Sequence, residues 1–215
     1  MELIGQFDSP FVRRVAIALH HYGFPFDHKP WSVWAQADEV AKHNPLRRVP
    51  VLVLDGGETL IESSAILDAL DDLAPADRRL IAPSGPERRR ALRLCALSTG
   101  LADKAVSLLY ERVLRKEERR NAVWIERCET QVRDTLGLLE RERAIGSAPF
   151  WLGSLSHADI ALACALRFAR EAHPRLLASQ PLPHLLAHAE RAEAMPLFQG
   201  AVQPLHVAVD SSGDG

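Results

Sequence analysis

The chain has 215 residues, enough for one large domain or two modest ones that each bury a core. Apolar residues make up 47% and charged residues 25%, a balance that excludes extensive disorder. With 28 acids against 26 bases the net charge is −2, so no global field draws the chain to nucleic acid or an anionic membrane, and a small-molecule partner is expected. The first residues, MELIGQFDSP, carry no basic segment followed by an apolar stretch, and no window approaches the ~18 apolar residues that span a bilayer; a cytoplasmic location is expected. Cys95, Cys128 and Cys164 are an odd count without C-x-x-C spacing, which suits a reducing compartment, and Cys95 and Cys164 stand in apolar runs as small buried hydrophobes.

In chain order, 3–7 reads as a short apolar strand, and 12–21 as a helix with Val15, Ala18 and Leu19 on one face, stopped by Gly23 and Pro25. A second strand is expected at 24–29, after which polar residues run to Asn44-Pro45. Residues 49–54 read as a buried strand opening on Pro50, Asp55-Gly56-Gly57 as a turn, and 58–61 as the returning strand. Glu62-Ser63-Ser64 then starts a helix to about Leu73. The order βαβ followed by ββα implies helices on a four-stranded mixed sheet over residues 1–80.

Pro75, Pro83, Gly85 and Pro86 mark a domain boundary, with a linker at 81–86. From 87 to 209 the apolar spacing is helical throughout, with helices expected at 87–115, 118–142, 156–171 and 182–194, and 210–215 reads as a frayed tail.

Three junctions carry the chemistry. Ser9 takes the N-cap place of the first helix, and Pro10 sits where its missing N–H costs nothing. Simple capping explains the pair. So does anion binding, since a helix N-terminus carries about half a positive charge and a serine hydroxyl can donate to a thiolate held there. Pro50 opens a strand that should be central; a cis Val49-Pro50 bond would leave the backbone of Val49 free to pair with a peptide ligand, and an edge-strand proline is the equal alternative. At the third junction Ser63 offers a hydroxyl and helix-end N–H groups to a carboxylate, and Glu62 can oppose an ammonium, with capping again the alternative. All three lie on one edge of the expected sheet.

The run S-P-F-V-R-R-V, then N-P-L-R-R-V-P-V-L-V, then L-I-E-S-S-A-I-L resembles the glutathione-binding half of serine-type cytosolic glutathione transferases, with bacterial and plant tau-class members nearest in wording. Ser156-His-Ala-Asp159 before an apolar run resembles the capping box in the helical half of that family. The resemblance implies a thioredoxin-like domain at 1–80 that binds glutathione, an all-helical domain that supplies the second-substrate pocket, and a homodimer. Ser9 would hydrogen-bond the glutathione sulfur, Val49 before a cis Pro50 would pair with the cysteinyl backbone, and Glu62 and Ser63 would hold the γ-glutamyl end. Either Arg47 or Arg48 would reach the glycyl carboxylate. Phe11, with Asp103, Val106, Ser107 and Tyr110 on the first long helix, would face the thiol, although core packing is the better explanation of Val106. Glutathione is then a co-substrate, and no metal is expected. Omega-class relatives and glutaredoxins have cysteine at the place of Ser9, and serine cannot form a mixed disulfide, so thiol transfer to an electrophile is expected. Glutathione-dependent isomerisation or dehalogenation, and a non-catalytic interaction module, are the alternatives.

Other signals are set aside. His184 and His188 share a helix face without a third ligand, Arg88-Arg89-Arg90 lacks the aromatic interleaving of a nucleic-acid patch, and Trp31, Trp34, Trp124 and Trp151 are expected in the core or at domain contacts.

Overall fold

The computed structural model describes residues 1–206, so the expected tail at 210–215 and the last three residues of the expected helical domain lie outside the described residues. Strand β1 is Glu2–Ile4 and stops at Gly5, short of the expected 3–7. Gly5 has a φ of 126°, and a Cβ there would lie 2.5 Å from Val12 Cγ2 and 2.8 Å from Val49 Cβ. Only glycine lets the first turn of helix α1 and the loop around Val49 close together over the strand end.

Helix α1, Pro10–Tyr22, is capped by Ser9 and stopped by Gly23 at φ 75°, whose N–H bonds the carbonyls of Leu19 and His20. Then come β2 (Asp27–Lys29), α2 (Ala37–Ala41), β3 (Val51–Val53), β4 (Thr59–Ile61) and α3 (Ser63–Leu73). The sheet order is β2-β1-β3-β4, with β1 and β2 parallel and the other pairs antiparallel, the mixed sheet that the βαβ–ββα pattern implies. Leu3 and Leu52 on one face pack with Val15, Leu19, Ile66 and Leu70 of α1 and α3. Ile4 and Val51 on the other face pack with Val40 of α2 and with Trp31. Side chains alternate across the pleat, so each strand feeds both layers.

Six helices follow: α4 (Gly85–Val113), α5 (Ala122–Ile145), α6 (His157–Ala172), α7 (Pro174–Ala178), α8 (Pro183–Glu193) and α9 (Pro196–Gln199). Helix α6 is the hub. Its alanines let neighbours approach on every side: Ile160, Ala163 and Cys164 join the core of the sheet layer, while Ala161, Leu162 and Leu166 join the core of the helical part. Its start is fixed by Asp159, whose carboxylate accepts from the N–H groups of Ser156 at 2.8 Å and Trp151 at 2.9 Å. His188 of α8 stands 3.2 Å from the same carboxylate and accepts from Arg143 Nε, while His184 turns to Glu140. The two histidines therefore serve separate structural contacts. Burial pushes the Cys95 and Cys164 thiols up to about 11. Trp31 and Trp151 pack as expected, and Trp34, though 54% exposed, meets Tyr110 of α4 across the two halves of the chain, whereas Trp124 is 37% exposed near the start of α5.

The two layers are joined by a buried polar cluster. Asp71 of α3 accepts from the Tyr22 hydroxyl at 2.6 Å, from the Leu80 N–H at 3.0 Å, and from His157 Nε2 of α6 at 2.7 Å. Burial opposes the Asp71 charge, but the hydrogen bonds from His157, Tyr22 and Leu80 outweigh it and hold its pKa below the usual carboxylate value. His157 is fully enclosed, its Nδ1 has no partner, and burial lowers its pKa; it is the neutral tautomer with the proton on Nε2. Burial likewise lowers the pKa of His173. For each group the unfolded chain binds the proton first, so stability falls with pH, beginning as the unfolded histidines titrate near pH ~6.5 and steepening below ~4 as Asp71 protonates. The expected result is a melting temperature that drops between pH 7 and 5, with His157→Gln flattening that limb; a profile flat from pH 7 to 5 in the parent protein would contradict the assignment.

Candidate functional site

Ser9 is partly exposed at the positive end of α1. Its Oγ accepts from the Val12 N–H at 3.4 Å, longer than the usual range of about 2.7–3.2 Å for such a bond. The cap is loose, and the hydroxyl proton has no acceptor among the described residues. Ser9 can therefore donate outward while keeping its place at the helix end.

The loop before β3 is built on Asn44, which is buried. Its side-chain carbonyl accepts from the Leu46 N–H at 3.1 Å, and its amide donates to the Arg48 carbonyl at 2.8 Å. Arg47 sits in the left-handed region at φ 52° and turns its guanidinium to Asp38, at 2.7 Å, on the outer surface. Arg48 instead lines a cleft together with Phe11, Asn44, Leu46, Val49, Pro50, Ile61 and Glu62. The Val49–Pro50 bond is cis. Among the described residues neither the N–H nor the C=O of Val49 has a hydrogen-bond partner. A partly buried backbone pair left open beside a cleft is a strand edge waiting for an extended ligand.

Glu62 closes the cleft on the far side. It precedes α3 with φ 68° and makes no side-chain cap, a backbone state that a non-glycine residue holds only at a cost of about 1–3 kcal/mol. The turn presents its carboxylate next to the open N–H groups of the first α3 turn. Ser63 is 1% exposed; its hydroxyl lies 3.4 Å from Glu62 Oε1 and 3.4 Å from Arg14 Nη1.

The α4 candidates divide. Tyr110 is 37% exposed: burial raises its pKa, Arg48 and Asp8 act on it electrostatically, and its ring meets Trp34 edge-on at 5.3 Å. Asp103 pairs with Lys104 at 3.0 Å, Ser107 bonds back to the Asp103 carbonyl at 2.8 Å, and Val106 packs against the helical core. Neither these three nor Tyr110 is among the residues that line the cleft. Phe11 does both jobs, lining the cleft and packing on the helical core, which fixes the first α1 turn against α6 and α4. Among the described residues no group of three or more His, Cys, Asp or Glu is placed to hold a metal.

The models of the N-terminal and C-terminal domains of glutathione S-transferases match residues 8–73 and 122–191. The fold superposes with a TM-score of 0.88 on a glutathione S-transferase of Methylobacterium radiotolerans solved with glutathione sulfonate, at 31% identity over 97% of both chains. The chain belongs to the glutathione S-transferase family. Its sequence is also 29% identical over 171 residues to the uncharacterized GST-like protein YibF of Escherichia coli, covering 78% of this chain and 81% of that one. It is 30% identical over 145 residues to glutathione S-transferase U6 of Arabidopsis thaliana, covering 67% of this chain and 60% of the plant protein.

In this transferase the sequence-derived residues Phe11, Arg48, Val49, Pro50 and Glu62 meet in one cleft, with Ser9 and Ser63 at the two helix ends beside it. Three contributors escaped the sequence reading. Asn44 was legible in part, as the residue before Pro45 that ends the polar run. Trp34 was assigned to the core or a domain contact, and its ring meets Tyr110 of α4 edge-on. Arg14, buried behind Ser63, looked like one more charge in a helix.

Proposed function

We propose that this transferase binds glutathione in extended form along Val49 and activates its thiol as a thiolate for attack on a hydrophobic electrophile. The observation that carries the proposal is the unpaired N–H and C=O of Val49, facing a cleft bounded by the N-termini of α1 and α3. A cysteinyl backbone fits that pair, and the rest of the tripeptide then runs both ways from it. Glu62 and Ser63 meet the γ-glutamyl ammonium and carboxylate, and Arg48 meets the glycyl carboxylate. The sulfur falls toward Ser9. Lowering a thiol pKa of about 8.5 by two units requires about 2.7 kcal/mol in favour of the thiolate. A helix N-terminus supplies ~0.3–2 kcal/mol and a hydrogen bond to a charged group ~1.5–3 kcal/mol, so the two together suffice. Phe11, Tyr110 and Trp34 give the electrophile an aromatic wall. The Methylobacterium radiotolerans relative solved with glutathione sulfonate supports this reading. We further propose a cytoplasmic homodimer, as is usual in the family.

Retention on immobilised glutathione, a rise in melting temperature with added glutathione, and conjugation of chlorodinitrobenzene are the expected results. A protein that neither binds nor is stabilised by glutathione would be an interaction module instead. The two arginines are separable: Arg48→Ala is expected to raise KM for glutathione about tenfold, the loss of one charge-assisted hydrogen bond, while Arg47→Ala stays within about twofold. Equal effects of the two substitutions would remove Arg48 from the site.

A further inference from the structure

Residues 201–206 follow α9 without helix or strand, and their polar contacts go to two places. One is the body of the protein: the Ala201 carbonyl accepts from Arg13 Nε at 2.7 Å, and the Leu205 N–H donates to Glu171 Oε2 at 2.8 Å. The other is the loop that carries Ser9. The Gln203 side-chain carbonyl accepts from the Phe7 N–H at 3.0 Å, and the Asp8 carboxylate accepts from the His206 N–H at 3.2 Å. That loop has little of its own to hold it. Strand β1 ends at Ile4, and the Gly5 N–H, bonded to the Lys29 carbonyl at 2.9 Å, is the last rung shared with β2. His28 of β2 reaches one step further: its Nε2 donates to the Gly5 carbonyl at 2.8 Å, and its ring stacks on Phe7 at 3.8 Å. At Ser9 itself the N–H reaches the Gln6 carbonyl at 3.2 Å and the hydroxyl accepts from Val12 at a loose 3.4 Å, so the cap does not fix the hydroxyl tightly. Without Gln203 the partly buried Phe7 N–H would be left open.

We propose that Gln203 is a positioning residue for the reaction: by holding the Phe7 N–H it fixes the turn at residues 7–9, and with it the place of the hydroxyl that meets the glutathione thiolate. This rests on the role proposed for Ser9 above. The loop is clamped from two sides, by His28 on β2 and by Gln203 on a segment that is itself tied to α1 through Arg13 and to α6 through Glu171. The ties matter, because an acceptor on a loose segment would order nothing. Freed from Gln203, the turn is held from the β2 side alone, and the hydroxyl shifts against the end of α1 while the fold stays intact. A misplacement of about 1 Å at a reacting centre costs up to about 10²-fold in rate. Arg48, Val49, Glu62 and Ser63 stand outside this loop, so Gln203 governs the ionisation of the bound thiol and not the affinity for the tripeptide.

The test is Gln203→Met, which keeps the length of the side chain and removes its acceptor, made in the full chain and again in the Ser9→Ala background, with glutathione and chlorodinitrobenzene as substrates. In the parent background kcat at saturating glutathione is expected to fall about tenfold and the pKa of the bound thiol to rise by about one unit, while KM for glutathione stays within about twofold. In the Ser9→Ala background the same substitution is expected to change kcat by less than about twofold, because the hydroxyl it positions is gone. Equal fold-losses of kcat in the two backgrounds, or a kcat and thiol pKa that Gln203→Met leaves unchanged, make Gln203 merely structural and overturn the proposal while the role of Ser9 stands. Unchanged conjugation in Ser9→Ala alone overturns the role of Ser9, and the positioning role falls with it. Should Gln203→Met not fold, Gln203→Asn, still polar and shorter by one methylene, takes its place with the same outcomes expected.

Discussion

Replacing Ser9 by alanine is expected to lower kcat/KM for thiol conjugation about 10- to 150-fold, the equivalent of one hydrogen bond of ~1.5–3 kcal/mol to a charged sulfur. The same substitution is expected to lower stability by well under the ~1 kcal/mol typical of a lost serine cap, because the Ser9 hydroxyl accepts from Val12 only at 3.4 Å. The two readings of this residue thus part company on measurement. A cap gives a large stability loss and little change in rate. A thiolate donor gives the reverse. The pKa of the bound thiol, followed by thiolate absorbance, is expected to rise in Ser9→Ala toward the free value of about 8.5 without reaching it, since the α1 N-terminus remains. Ser9→Cys places a second thiol where the ligand sulfur lies, so it is expected to gain exchange with glutathione mixed disulfides while losing conjugation. Unchanged conjugation in Ser9→Ala, at saturating glutathione, would end the role assigned to this hydroxyl.

The elements that the sequence made legible are those whose signal is local. Ser9-Pro10 and Gly23 bracket α1 with residues that stop or start helices by their own backbone preferences, and the helix runs between them. The apolar run from Val49 to Leu54 announced a strand, but only Val51–Val53 pairs, because Pro50 has no N–H to give. The short helices α2, α7 and α9 were missed. Five residues or fewer carry too few apolar positions to display a period, although Pro174 and Pro196 stand at their first positions as the start signal predicts. Helix α2 has no such marker: Gln36 precedes it without a side-chain cap.

The site was legible as residue types and illegible as directions. Arg47 and Arg48 are identical in sequence terms, and the choice between them is made by Asn44 and Asp38, which turn one outward and leave the other in the cleft. The left-handed state of Glu62 is set by the crossing from β4 to α3, not by any preference of glutamate. Tyr110 and Trp34 meet across two layers, so their contact has no signature in either segment. Asp103 and Ser107 follow the same helix face as Tyr110, and none of the three is among the residues that line the cleft. Spacing along a helix names a face. It does not say how far the face extends into a site.

The largest stability effect is expected at Asp71. Three donors converge on its carboxylate at 2.6, 2.7 and 3.0 Å, from α1, α6 and the segment between α3 and α4. Asp71→Ala strands all of them in a buried space, and breaking a buried charged contact from one side costs about 3–5 kcal/mol. Tyr22→Phe removes one donor and leaves the other two satisfied, so a smaller loss of ~1.5–3 kcal/mol is expected. The two changes act on one network, and the double variant is expected to lie well short of their sum. Because the cluster ties the sheet layer to α6, its loss also loosens the hold on the first turn of α1 and on α3, the two helix ends that bound the cleft. Asp71→Ala is therefore expected to weaken glutathione binding without touching the ligand, whereas Tyr22→Phe keeps most of it. Chemical denaturation of the three variants, with glutathione titrations on each, checks the ordering; an Asp71→Ala protein as stable as Tyr22→Phe would mean that the carboxylate is not the centre of the joint.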